Sequence, residues 1–195
     1  MPEALTLGFD TSAAHCAAAL LSGDVLIAAR HEDMAKGQAE RLMPLIEEIL
    51  AETSTNWPDL SLIGVGTGPG NFTGIRIAVA AARGLSLALN IPAIGIGAAE
   101  ALAFGLPRPC RIVIPGKRDT AIWQDFTDTP SQPRQDPLDN LPPGPPVATP
   151  GVAIAEGIAR LARARAGTTQ PRPAPIYLRP ADAAPARDRG PTILP

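Results

Sequence analysis

Ser61-Leu-Ile-Gly-Val-Gly-Thr-Gly-Pro-Gly-Asn-Phe-Thr-Gly-Ile-Arg76 is the stretch of sequence that decides the fold of this chain. It predicts a short strand, then a turn shaped by four glycines around Pro69, then a long apolar helix over residues 73–89. A strand, a glycine turn and a helix N-terminus together can present backbone N–H groups to an anion. The alternative is that the glycines only let the strand pack tightly under the helix. Local spacing alone leaves both interpretations open.

The segments around this stretch predict an α/β domain. Residues 5–9, 17–21 and 25–30 have the composition of three strands joined by short connections, and residues 37–52 have the periodicity of an amphipathic helix. The alternation of strand and helix over residues 61–105 predicts parallel strand pairing with crossover helices. This parallel part is expected to join the opening hairpin in one sheet.

The predicted helix over residues 73–89 is apolar almost all round. A helix with this pattern is covered on both sides. One side can pack on its own sheet, so the other side needs a second helix or a second chain.

The second half of the chain has a different composition. Residues 111–114 and 120–126 predict two strands, and residues 127–146 carry seven prolines and predict a loop. Residues 152–166 predict a helix with arginines toward its C-terminus, where cations are favoured.

Composition and charge limit the classes of function. The chain has 45% hydrophobic residues and a formal net charge of −2 without a long basic block, so a nucleic-acid role would need a partner to supply positive charge. Cys16 and Cys110 lack C-x-x-C spacing and suit buried, reduced thiols. The N-terminus lacks a basic n-region, and we expect no apolar run to be long enough to span a bilayer. A cytoplasmic location without membrane attachment is the prediction.

Metal and serine hydrolase chemistry find little support in the residues. His15 and His31 are the two histidines of the chain, and neither belongs to an H-E-x-x-H motif. No G-x-S-x-G elbow occurs either. We therefore predict no metal site and no catalytic residue.

Nucleotide binding rests on two weak features. The glycine turn lacks the Lys-Ser/Thr ending of a Walker A loop, and Asn71 breaks the dinucleotide fingerprint. Asp10-Thr11-Ser12 after the first strand could hold a hydrated magnesium ion and a terminal phosphate, although a hydrogen-bonded turn is the favoured interpretation. A secondary hypothesis of anion or nucleotide contact is kept for Asp10, Thr11, Ser12, Gly68 and Gly70.

Several segments in combination resemble the TsaB (YeaZ) family. They are Phe9-Asp-Thr-Ser12, Gln38-Ala-Glu-Arg-Leu-Met-Pro-Leu-Ile46, Gly68-Pro-Gly-Asn-Phe-Thr-Gly-Ile-Arg76 and Ile91-Pro-Ala-Ile-Gly95, with a weaker match at Tyr177-Leu-Arg179. The resemblance implies an α/β fold of the ribonuclease H-like, actin/Hsp70/sugar-kinase (ASKHA) type. Such a fold has two lobes.

The lobe boundaries follow from that resemblance. The first lobe is expected over residues 1–105 and carries the interface helices. A smaller, degenerate second lobe is expected over residues 106–180. A flexible, proline-rich tail is expected over residues 181–195.

The resemblance also implies a subunit that is not itself catalytic. In the family, a paralogous TsaD subunit transfers the threonylcarbamoyl group to the tRNA adenosine next to the anticodon, and a TsaE ATPase joins the complex. The implied partners are therefore a TsaD-like transferase, a TsaE-like ATPase and, only through the complex, tRNA. No cofactor is expected to bind this chain firmly, with ATP or ADP and magnesium entering in the complex. Alone, the chain is expected to form a homodimer through its apolar helical face.

Eight side chains on the two helices are predicted to supply the combined core and interface faces. They are Leu42, Leu45, Ile46, Ile49, Ile75, Val79, Ala82 and Leu85. Gln38 stands where family members often have histidine, so no role of a histidine is carried over to that position. No second phosphate loop follows Gly116-Lys-Arg-Asp119, and this departure argues against ATP hydrolysis by this chain alone. The alternative function, from a different class, is a stand-alone ASKHA-type ATPase or a metallopeptidase-like hydrolase.

Overall fold

A computed structural model describes residues 3–178 of the chain. Its larger sheet has five strands: β1 (Leu5–Asp10), β2 (His15–Ser22), β3 (Val25–Asp33), β4 (Leu60–Gly66) and β5 (Ala93–Ile96). Their order is β3-β2-β1-β4-β5, with antiparallel pairing among β1, β2 and β3 and parallel pairing of β4 with β1 and β5. The predicted opening hairpin and the predicted parallel pairs are both confirmed.

Two long helices cover one face of this sheet. Helix α1 (Gln38–Glu52) packs over β2 and β3, and helix α2 (Phe72–Leu89) packs over β4 and β5 beside α1. Their inward apolar stripes and the facing strand residues form the main hydrophobic core. The outer surfaces of α1 and α2 therefore form one continuous platform, which we call the α1–α2 platform.

The expectation that no apolar run is long enough to span a bilayer is wrong for helix α2. Among the described residues it is the one helix with the length and mean hydropathy, 1.4, that a membrane span requires. It nevertheless packs one side on β4 and carries Arg76 and Arg83 on its exposed side. Arginines are costly in the hydrocarbon of a bilayer, so we describe α2 as a core helix with an uncovered apolar face.

The opposite face of the first sheet carries α3 (Ala98–Leu102) and α4 (Ile154–Ala164). Helix α4 contacts β1, β4 and β2, and it can approach closely because a Cβ at Gly8 or Gly64 would lie within 3.0 Å of its atoms. This packing corrects the predicted lobe boundary, which assigned α4 to the second lobe. Helix α4 is instead part of the first lobe, because it is buried against the first sheet. The predicted tail over residues 181–195 lies outside the described residues.

A second, three-stranded antiparallel sheet follows α3. Its strands are β6 (Cys110–Pro115), β7 (Thr120–Phe126) and β8 (Arg134–Pro137). Strand β8 lies inside the proline-rich segment that was predicted to be a loop, and it pairs with β7 from Thr120 to Trp123. The second sheet is also tied to the rest of this segment by Arg111, whose guanidinium bonds to Asp125 and to the carbonyl oxygen of Pro142.

Candidate functional site

The loop after β1 lies directly against the glycine turn after β4. Asp10 is fully buried, and its Oδ2 accepts hydrogen bonds of 2.9 Å from both the backbone N–H and the hydroxyl of Ser12. His15 Nε2 lies 2.7 Å from the same oxygen. Asp10 Oδ1 has no hydrogen-bond partner among the described residues. The carboxylate thus fixes its own loop and the start of β2.

The glycines of the turn allow backbone to pack on backbone. A Cβ at Gly74 would come closer than 3.0 Å to the carbonyl group of Thr11, and one at Gly70 would collide with the Ser12 oxygen. The Thr11 hydroxyl donates to the Gly74 oxygen at 2.7 Å, which holds the two segments together. Of the two interpretations of the turn, these contacts favour tight packing.

The N-terminus of α2 has few donors left for an anion. The Asn71 side chain accepts hydrogen bonds from the N–H groups of Thr73 and Gly74, at 3.0 and 3.3 Å. The Asn71 N–H itself donates to the Ser12 oxygen. Helix N-termini bind anions through such N–H groups, and here most of them are already bonded.

The five residues of the anion or nucleotide hypothesis are thus brought together, but their polar groups largely bond to the protein itself. The unpartnered Asp10 Oδ1 points at Gly66 so closely that a Cβ there would overlap it. A hydrated magnesium ion needs several oxygen ligands and space for its waters. The space between Asp10 Oδ1 and Gly66 therefore does not fit such an ion. Contact of the five residues with an anion or a nucleotide stays a prediction.

Chemically reactive clusters are scarce in the described part of the chain. Residues 3–178 hold no group of three or more His, Cys, Asp or Glu side chains positioned to share a metal ion. Burial raises the pKa of the Cys16 thiol to about 11, so this side chain stays a neutral thiol near pH 7. Nucleophilic attack requires the thiolate, which Cys16 therefore does not supply.

The eight side chains predicted for the combined core and interface faces lie mainly in the core. Leu42, Leu45, Ile46, Ile49, Ile75, Val79 and Ala82 are all buried within the single chain, and Leu85 is half-buried. Leu42, Leu45, Ile46, Ile49 and Ala82 belong to the main core, and Leu85 packs against it. The Ile75 side chain lies against Gly68 of the glycine turn. Seven of them are therefore core residues and have no surface to offer a partner.

The outward side of α2 is the apolar side for which the sequence predicts a second helix or a second chain as cover. Leu87 is 85% exposed, Ala80, Gly84 and Ala88 are exposed, and Ile77 is half-buried. A Cβ added at Gly84 would meet nothing within 4 Å. Large exposed apolar side chains on a helix with small neighbours are typical of a helix–helix interface. This outward face of α2, with residues 77, 80, 84, 87 and 88, is the candidate binding surface.

Comparison with known proteins agrees with this picture. Residues 31–129, about half of the chain, match the family model "TsaD: tRNA N6-adenosine threonylcarbamoyltransferase". The TsaB protein of Escherichia coli K12, a tRNA threonylcarbamoyladenosine biosynthesis protein, is 33% identical over 99 residues, which are 51% of this chain and 42% of that protein. Its namesake from Buchnera aphidicola subsp. Schizaphis graminum is 35% identical over 99 residues, 51% of this chain and 47% of that protein. The chain belongs to the TsaB (YeaZ) family.

The solved structure of YeaZ from Pseudomonas aeruginosa extends the match to most of the chain. It aligns with a TM-score of 0.73 at 22% identity and covers 90% of this chain and 100% of that one. The predicted ribonuclease H-like, ASKHA-type fold is thereby confirmed. In sequence, the TsaB-family chain spans about half the length of the curated relatives it matches.

Proposed function

We propose that this TsaB-family chain is the non-catalytic subunit of the tRNA N6-threonylcarbamoyladenosine synthesis complex and acts in the cytoplasm. In that role it binds and supports a TsaD-like transferase, which modifies the adenosine next to the anticodon. A TsaE-like ATPase joins the complex, ATP or ADP with magnesium enters there, and tRNA is reached only through it. The observation that carries the proposal is the uncovered apolar face of α2, with Leu87 85% exposed.

The shape of that face suits a helix of another subunit. Ala80, Gly84 and Ala88 follow each other at four-residue intervals, so a second helix can approach closely along one line. The TsaD family model matches the part of this chain that contains α1, β4, α2 and β5. A TsaD-like subunit therefore has the same elements and can offer an equivalent pair of helices to the platform.

The alternative, a stand-alone ATPase or metallopeptidase-like hydrolase, fits the geometry less well. One carboxylate oxygen of Asp10 is hydrogen-bonded to Ser12 and His15, and the other is buried against Gly66. The N–H groups of Thr73 and Gly74 are bonded to Asn71. A nucleotide phosphate would thus meet a buried carboxylate and occupied donors, which disfavours its binding.

Substitution of Leu87 by aspartate tests the proposal. A carboxylate at the centre of the apolar face would be buried without a partner in the complex, so we expect the Kd for the TsaD-like subunit of the same organism to rise at least ~100-fold, on the order of 3 kcal/mol. The measurement is a calorimetric titration with both subunits purified.

Leu138→Asp is the matched control, because Leu138 is 48% exposed and lies next to β8 in the second sheet. It carries the same change of size and charge away from α2 and is expected to bind like the wild-type chain. Wild-type affinity of Leu87→Asp would show that α2 is not the binding surface.

A further inference from the structure

Negative charge is absent from two long segments of the chain. Residues 60–99, which include α2 and β5, contain two arginines and no Asp or Glu, and residues 157–178 contain four arginines and no Asp or Glu. The formal net charge of the whole chain is nevertheless −2, so positive and negative charge are segregated. A local excess of arginine on an otherwise acidic protein indicates a surface that attracts a polyanion.

Half of these six arginines are neutralised within the chain. Arg76, Arg83 and Arg172 form no ion pair with a carboxylate within residues 3–178. The attraction for an anion is therefore concentrated where these three side chains lie. The neutralised pairs are Arg160 with Glu156, Arg163 with Asp24 and Arg165 with Glu100.

A groove of about 860 Å³ lies between the C-terminal half of α2 and residues 166–173, and we call it the α2 groove. Arg83 and Arg172 line it, and no Asp or Glu of the described chain does. Asn90 and Thr169, which are exposed, line it as well. Side chains of these types donate hydrogen bonds to phosphate oxygens in complexes with nucleic acids. The groove thus has donors for a phosphate and no carboxylate to repel it.

The walls of the α2 groove are held in place by the protein itself. The Arg83 Nε–H donates to the carbonyl oxygen of Pro173 at 2.8 Å, which ties the C-terminal segment to α2. Pro173 is buried, and a Cβ at Gly95 would lie 3.4 Å from its Cα. The Ile176 N–H donates to the carbonyl oxygen of Thr67 at 2.8 Å. Because the segment is fixed at these points, a ligand has little to order when it binds.

The third unpaired arginine extends this site along α2. Arg76 lies seven residues before Arg83, which is roughly 10.5 Å along the helix axis. Its guanidinium lies 3.8 Å from the centroid of the Phe72 ring, and its Nε–H donates to the Tyr177 hydroxyl at 2.9 Å. The Tyr177 ring is 40% exposed and lies 4.9 Å from the Phe72 ring. Exposed aromatic rings beside arginines provide stacking surface for unpaired bases.

We propose that the α2 groove, extended by Arg76, binds backbone phosphates of the tRNA in the assembled complex. The inference rests on the proposed function, because a chain with a net charge of −2 needs partners to supply the further positive charge for stable RNA binding. Leu87 lines the edge of the groove, so the RNA lies beside a TsaD-like subunit bound to the outward face of α2. Contacts to phosphates position an RNA without reading its sequence.

An acidic segment of the TsaD-like subunit is the competing occupant of the α2 groove. A nucleic-acid strand carries a phosphate at every nucleotide and bases that stack on aromatic rings. It therefore matches both the spread of Arg76, Arg83 and Arg172 and the exposed ring of Tyr177. An acidic peptide matches the arginines alone, so the surroundings favour RNA.

Replacement of Arg83 and Arg172 by glutamine tests the proposal, because glutamine keeps hydrogen-bonding groups but removes the charge. We expect the complex that contains Arg83→Gln/Arg172→Gln to bind unmodified tRNA at least about tenfold more weakly in fluorescence anisotropy. The slope of log K against log salt concentration is expected to fall by about two, one for each lost phosphate contact. The Kd for the TsaD-like subunit, measured by calorimetry, is expected to stay unchanged.

Two further variants separate charge from folding. Arg172→Gln alone keeps the hydrogen bond from Arg83 to Pro173 and is expected to lower the salt slope by about one. Arg118→Gln/Arg134→Gln is the matched control, because both arginines are exposed, belong to the second sheet and its turn, and make no ion pair within the described chain. The complex with this control is expected to bind tRNA like wild type.

Unchanged tRNA affinity and salt slope for the Arg83/Arg172 variant would overturn the proposal, as would an equal loss in the control. A weaker TsaD-like complex with an unchanged salt slope would assign the α2 groove to an acidic protein segment instead. If Leu87→Asp abolishes complex formation while the groove variants bind tRNA normally, only the groove proposal falls. If the wild-type chain forms no complex with the TsaD-like subunit, the proposed function falls and this proposal falls with it.

Discussion

Gly74→Ala is expected to destabilise the isolated chain by about 3 kcal/mol, although alanine is ordinarily the better helix residue by about 1 kcal/mol. The added methyl carbon would lie 2.9 Å from the carbonyl carbon of Thr11 and closer still to its oxygen. That carbonyl cannot yield easily, because the Thr11 hydroxyl and the Ser12 oxygen hold the loop to Gly74 and Asn71. Urea unfolding followed by circular dichroism measures the change.

Gly84→Ala provides the control within the same helix. A Cβ at Gly84 meets nothing within 4 Å, so this substitution is expected to leave stability unchanged or raise it by up to about 1 kcal/mol. The two variants make the same chemical change in α2 and differ only in what the methyl group meets. Equal unfolding midpoints would contradict the packing role of the glycine turn.

Arg111→Met is expected to lower the free energy of unfolding by about 3 kcal/mol. Arg111 is 3% exposed, and its Nε and Nη2 bond to the two Asp125 oxygens at 2.5 and 2.9 Å. Hydrogen bonding to Asp125 raises the pKa of Arg111 above its ordinary value, so the guanidinium stays charged. Its removal leaves the Asp125 carboxylate and the Pro142 oxygen without their donor. Thermal unfolding measures the loss.

Arg41→Met is the surface counterpart. Arg41 bonds to Glu32 and Glu48, whose side chains are 36% and 53% exposed, and such pairs at the surface contribute about 1 kcal/mol or less. Arg111→Met is also expected to speed proteolysis within residues 127–146, which Arg111 ties to the second sheet. Similar thermal stabilities for the two variants would contradict a structural role of Arg111.

The first sheet could be predicted because its signals are local. Alternating strands, the turn after β2 and the strand–turn–helix stretch over residues 61–76 each fix one element and its direction. The position of α4 could not be predicted, because it depends on contacts with strands about 100 residues or more earlier in the chain. The local signals for this packing are Gly8 and Gly64, which lack side chains and so allow α4 to approach the sheet closely. Strand β8 was missed because prolines usually interrupt strands.

The candidate binding surface was predicted in part: the helix was identified, but not which of its sides faces outward. The sequence showed that α2 is apolar all round and that one side needs a partner, but periodicity cannot say which side faces the sheet. The choice of Ile75, Val79 and Ala82 therefore selected the core side. The hydrogen bond from Arg76 to the Tyr177 hydroxyl could not be predicted, because the two residues are 101 positions apart in sequence.

The glycine turn illustrates how distant contacts separate two local interpretations. Glycines after a strand fit both a phosphate cradle and close backbone packing. The contacts of Gly70 and Gly74 with Ser12 and Thr11 favour packing, and they depend on the loop after β1. The main role of the turn is thus to set α2 on the sheet with its apolar face outward.

Reconstituted tRNA modification tests the central claim most directly. The TsaD-like and TsaE-like subunits of the same organism are incubated with threonylcarbamoyl-adenylate, ATP, magnesium and unmodified tRNA, with or without this chain, and N6-threonylcarbamoyladenosine is measured by mass spectrometry. We predict that the modified nucleoside forms at least tenfold faster with the chain present, and that the isolated chain neither modifies tRNA nor hydrolyses ATP. Equal rates without the chain, or magnesium-dependent ATP turnover by the chain alone that Asp10→Ala abolishes, would contradict the account.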